Sequence, residues 1–141
     1  MLRRYSDENF ALIRSLLLLW HDHLDASHEV SQVIETPDGS FLHGIMHRRE
    51  PDYWNSKYWF RRVGSHDAFP TISNRVSNLF ERHRAAAPAS WVSCDPWDPF
   101  AFVDAVEAAC GRAGTEARRA FLRDAQQIEF EELLKHFAGR V

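Results

Sequence analysis

The chain predicts an all-α fold: a single compact helical domain (residues 1–141) of five or six helices, with a long N-terminal helix through its centre. Three observations predict it. Apolar residues recur every three or four positions, no stretch alternates apolar and polar as a half-buried strand does, and Ser, Asp, Pro and Gly stand where helices start and stop. A chain of 141 residues fits one domain and can bury about two thirds of its unfolded surface.

Ser6 is the expected cap of the first helix, with Asp7 and Glu8 in the first turn where they complement the helix dipole. Nothing then breaks the helix before about residue 35, and residues 36–40 (TPDGS) read as a turn. Phe10, Ile13, Leu17, Trp20 and Leu24 share one stripe, while Leu12, Leu19, Val30 and Val33 lie opposite. A helix apolar on two sides is expected inside the domain. Past Trp20 the stripe turns polar, with His21, Asp25, His28 and Gln32 at i, i+4, i+7 and i+11. Ser40 is expected to cap a short helix over 41–49, since Pro51 disfavours helical geometry at Glu50.

Pro51 suits the first position of the next helix, which carries Arg61 and Arg62 in its last turn and Gly64 beyond it. Trp54, Tyr58 and Arg61 lie along one side of it, Trp59 and Val63 along another. After a loop over 65–70, a helix is expected over 71–86 on Ile72, Val76, Leu79 and Phe80, stopped by Pro88. Residues 87–100 (APASWVSCDPWDPF) read as a loop. Asp98 as cap and Pro99 open a helix to Cys110, closed by Gly111, and Thr115 opens the last, with Phe121, Ala125, Ile128 and Phe137 toward the core.

Composition narrows the function classes. The net charge of −3 argues against nucleic acid as a partner, because phosphate binding wants a basic excess. Cys94 and Cys110 have no CxxC spacing, so neither a thiolate zinc knuckle nor a disulfide framework is indicated. The longest apolar run, 16–20, is far too short for a membrane span, and acids at Asp7 and Glu8 argue against a signal peptide, so a cytoplasmic location is expected. Walker, GxGxxG, GxSxG, HExxH and EF-hand patterns are absent.

Ionisable residues concentrate instead between His21 and Asp67, which hold six of the eight histidines. His43, His47 and Glu50 fall on one helical face, and His21, Asp25 and His28 present the same ligand types on the preceding helix. Helical bundles build metal sites by facing two such stripes across a core. His21, His28, His43 and His47 are therefore the expected ligands of a divalent metal such as zinc, with Glu50 or Asp25 as ligand or general base. Arg48, Arg49, Lys57 and Arg61, with Arg62, would form an anion-binding wall at the pocket's rim. The concrete expectation is a metal-assisted hydrolase of an anionic, phosphorylated small molecule. The alternatives are a scaffold protein whose polar cluster is a hydrogen-bond network, and a nucleic-acid accessory protein using the basic aromatic helix. His23, His83 and His136 read as surface or filler positions, and Gln126, Gln127, Glu129 and Glu132 as helix surface.

The string HGIMHRREPDYWNSKYWFRRVG, preceded by WHDHLDASHEVSQ, resembles a family of small helical proteins without an assigned activity. The likeness covers about residues 20–70 and extends to the WDPF segment at 97–100. It implies a shared helical fold and brings no substrate, cofactor or catalytic residue with it.

Overall fold

The computed structural model describes residues 2–84, 96–112 and 114–140. The fold is all-α, with seven helices and no strand among the described residues: α1 Leu2–Trp20, α2 Leu24–Ser31, α3 Pro37–Arg49, α4 Tyr53–Val63, α5 Phe69–Arg82, α6 Pro99–Cys110 and α7 Glu116–Ala138. No described helix is long and apolar enough to cross a membrane. Two compact units divide the chain: Met1–His66 with Leu133–Val141, and Asp67–Glu132.

In the first unit, the long N-terminal helix expected to residue 35 is two helices. Ser6 lies inside α1 rather than capping it, and the break comes at residues 21–23. Asp22 adopts a left-handed φ of 67°. The His23 amide bonds the Leu18 carbonyl at 2.8 Å and the Asp22 amide the Leu19 carbonyl at 3.1 Å, which closes α1 as a Schellman turn. Such turns usually carry glycine, so an aspartate there hides the stop. Arg49 locks the corner by donating to the Leu19 carbonyl and to Asp22 Oδ1 at 2.7 Å. Of the two apolar sides of α1, both expected inside, only that of Leu12 and Leu19 is fully buried. Leu12, Leu16 and Leu19 are fully buried, whereas Phe10 and Leu17 are 56% and 41% exposed. Ser15, on the buried face, pairs with Ser27 of α2 through hydroxyls 2.9 Å apart, and the Ser27 hydroxyl donates to the Ser15 carbonyl at 2.8 Å.

The segment read as a turn at 36–40 is the start of α3. Thr36 caps it by accepting from the Gly39 amide, Pro37 takes the first position, and Asp38 stands in the first turn, a favoured order at a helix start. Residues 38–48 of α3 are all buried. The helix through the interior is therefore this short one, not the N-terminal one. Pro51 does not open α4; Asp52 caps it, accepting from the Asn55 amide. Gly44 lets α3 approach α4 closely, because a Cβ there would lie 2.8 Å from the Phe60 ring, and Ser56 donates to the Gly44 carbonyl at 2.6 Å. Gly64 ends α4 with a φ of 65°, a conformation glycine adopts without strain.

In the second unit, α5 begins at Phe69, two residues before the expected start, and buries Phe69, Ile72, Val76 and Leu79. The expectations at Ala86, Pro88 and Cys94 fall outside the described residues. The α6 bounds are the expected ones. Asp98 accepts from the Phe100 and Ala101 amides at 2.9 and 3.1 Å. Thr115 accepts from the Arg118 amide at 3.2 Å at the start of α7. Glu129 and Glu132, expected at the helix surface, are 0% and 7% exposed, and Glu132 accepts from Arg75 at 2.8 Å. Cys110 is an exposed free thiol.

Candidate functional site

Both polar clusters of the first unit are built on α3. Its second half carries His43 and His47, one turn apart, and α2 brings His28 against them. The His28 ring centroid lies 5.0 Å from that of His43 and 5.9 Å from that of His47, and the latter two are 6.0 Å apart. His43 is 2% exposed and stacks on Trp59 of α4, centroids 4.1 Å apart and planes within 15°. Arg62 covers Trp59, its guanidinium carbon 5.3 Å from the ring centre.

Burial, reinforced by the neighbouring His28 and His47, pushes the His43 pKa down to about 4. Burial also lowers the His47 pKa, against an upward pull from the Glu50 carboxylate. His47 Nδ1 lies 3.1 Å from Glu50 Oε2, so with the carboxylate accepting, Nδ1 carries the proton and Nε2 the lone pair. Asn55 donates to Asp52 Oδ2 at 3.3 Å and borders the same His47 nitrogen at 3.4 Å. His43 and His47 are thus imidazoles disfavoured from taking a proton, and Glu50 sets the tautomer of the second.

Other residues expected at this pocket lie elsewhere. His21 is exposed and lines an open groove of about 360 Å³ with Phe10, Ile13, Leu17 and His23. Asp25 is exposed too, because the break at residues 21–23 turns α2 away from the course that would have kept His21 and Asp25 on one stripe with His28. The arginine wall is not at a rim. Arg48 is 2% exposed and among the largest fully buried side chains, Arg49 holds the α1 corner, Lys57 is half-buried and Arg61 faces outward.

The second cluster gathers residues far apart in sequence. Asp38 stands in the first turn of α3, His66 follows the Gly64 turn, and His136 lies near the end of α7. Asp38 Oδ1 is 2.7 Å from His66 Nε2 and 3.4 Å from His136 Nε2. Asp38 Oδ2 accepts from Arg140 Nη2. Phe41 backs His66, ring centroids 5.0 Å apart, and the Arg140 carbonyl accepts from Asn9 of α1 at 3.1 Å. Burial alone would raise the Asp38 pKa, but hydrogen bonds from His66 and Arg140 outweigh it and hold the carboxyl down to about 2.

Among the described residues, the His, Cys, Asp or Glu trio whose donor atoms converge is Asp38, His66 and His136, all within 4.8 Å of one another. Tetrahedral zinc with bonds of 2.0–2.1 Å places its ligand atoms about 3.3 Å apart. The separations from Asp38 Oδ1, 2.7 and 3.4 Å, bracket that value. Two imidazoles and a carboxylate also make a donor set of the right chemistry for zinc and its neighbours. No local spacing announces this trio. Asp38 is 28 residues from His66 and 102 from Arg140, and the one local signal is the i, i+4 relation of His136 to Arg140.

Compared with protein-family models, curated proteins and solved structures, the chain matches none.

Proposed function

We propose that this protein binds a divalent transition metal, zinc by preference, at Asp38, His66 and His136, and uses it for metal-assisted hydrolysis. The observation that carries the reading is the convergence of three donor atoms from three distant segments within 4.8 Å. Three protein ligands leave a fourth position for water, as in catalytic zinc sites, whereas structural sites close with four protein ligands. The metal's chemistry there would be to lower the pKa of bound water to about 7. Asp38 and His66 supply a sheltered base to the centre, their side chains 10% and 4% exposed. His136 is 19% exposed and forms its open edge.

A second reading is favoured by one specific observation. Asp38 is already satisfied by His66 and Arg140, and its depressed pKa is what a structural ion-pair clamp also requires. Metal stoichiometry separates the two. Untagged protein grown with zinc should carry one equivalent by elemental analysis. The D38N and H66A variants should lose it, and H47A should retain it. A wild-type protein free of metal would leave the clamp; a site lost in H47A and kept in D38N would move it to the imidazole cluster.

A further inference from the structure

We propose that the same centre takes an oxyanion, held between the metal's open position and the guanidinium of Arg140, so that its substrates carry a phosphate or carboxylate group. The proposal rests on the metal reading above and adds the ligand class to it.

Charge makes the first argument. A divalent ion, one carboxylate and two neutral imidazoles sum to one positive charge, and Arg140 on Asp38 Oδ2 adds a second. The metal's charge would sit where the Asp38 and His66 side chains are 10% and 4% exposed, with the Arg140 charge beside it at the solvent edge. Excess charge away from water is costly unless a counter-charge accompanies it. An anionic ligand is the group such a centre lacks.

Geometry makes the second. Arg140 gives one N–H to Asp38, its side chain is 44% exposed, and its remaining guanidinium N–H groups have no partner among the described residues. A guanidinium offers five donors in a planar fork suited to two-point contact with an oxyanion. The Asp38 carboxylate spans the two cations, with Oδ1 toward the histidines and Oδ2 toward the arginine. A ligand oxyanion has two oxygens at similar spacing. It can therefore bridge the same pair from the solvent side, with one oxygen on the metal and another on the free N–H groups. The Asn9 bond to the Arg140 backbone, from an asparagine 5% exposed, holds that residue in place.

Cobalt(II) substitution of the full chain tests this, because the visible absorption of the ion reports changes in its own ligands. The probes are inorganic phosphate and acetate. In the wild-type protein, one or both should shift the cobalt spectrum saturably. R140Q should still take up cobalt but bind the same anion at least tenfold more weakly, with partial recovery in R140K. Response to phosphate alone assigns phosphate substrates, and response to acetate alone assigns carboxylates. A cobalt-loaded wild type indifferent to both anions overturns the proposal, as does an R140Q response equal to wild type. A wild type that takes up no cobalt removes the metal reading itself, and this inference with it.

Discussion

Gly39→Ala is expected to destabilise the protein by about 3 kcal/mol or more, which for a chain of this size lowers Tm by roughly 10 °C. A Cβ on Gly39 would lie 2.1 Å from the Ile34 carbonyl oxygen and 2.9 Å from the Ile34 Cβ. The first of these is backbone and cannot turn aside as a side chain can. The Ile34 amide is itself bonded to the Ser31 carbonyl at 3.0 Å, so the chain between α2 and α3 must move as a piece. Asp38 is the adjacent residue, and metal uptake should fall together with stability. Gly44→Ala is the comparison. The three atoms nearest its Cβ would all belong to the Phe60 ring, the first at 2.8 Å, and a ring can shift, so about 1–3 kcal/mol is expected. Thermal unfolding of both variants checks the order. A G39A protein melting with the wild type would contradict the close approach of the two segments.

Acid should destabilise the protein well above the range where carboxylates titrate. His43 has its pKa lowered from an ordinary 6.5 to about 4. Between those values the unfolded chain binds a proton that the folded one refuses. Stability is therefore full above 6.5 and lost as pH falls through this window, by about 2–3 kcal/mol at pH 4.5. His47, lowered in the same direction, acts with it. Asp38 works in a separate window. Its carboxyl is held at about 2 against an ordinary 3.8, so its contribution is present above 3.8 and disappears as pH approaches 2. Denaturant unfolding at pH 7.0, 5.5 and 4.5 reads the first window alone. The H43F variant, which keeps an aromatic ring against Trp59, should flatten the curve there. A wild-type stability constant from pH 7.0 to 4.5 would contradict a His43 held neutral by burial.

What the sequence made legible follows the range of the interaction. Two helix starts set by a local side chain were readable, at Asp98 and Thr115, because cap and first turn sit within four residues of each other. Those at Thr36 and Asp52 were not, since TPDGS reads equally well as a turn and Pro51 suits a first helical position as well as the residue before a cap. The stop at Asp22 was hidden. It depends on a left-handed aspartate where glycine is usual, and on Arg49 reaching back from α3 to hold it. The buried side of α1 was equally ambiguous, since leucines lie on both sides and the choice falls to the Ser15–Ser27 pairing with α2. The site divides in the same way. The approach of His28 to His43 and His47 could be foreseen from helical spacing and one reversal of the chain. The meeting of Asp38, His66 and His136 could not, because it requires the path of the chain past Gly64 and the course of α7. The anticipated chemistry, histidine and carboxylate donors beside an arginine, recurs at a different address from the one local spacing suggested.

X-ray absorption at the zinc edge of the loaded wild-type protein tests the central claim most directly. The predicted first shell has two imidazole nitrogens at 2.0–2.1 Å and light oxygen scatterers from one carboxylate and one exchangeable water. H136A should reduce the imidazole signal to one ring, while H28A and H43A leave it at two. A shell of three imidazoles that loses one in H43A, or zinc bound only through outer-sphere contacts, would contradict the assignment.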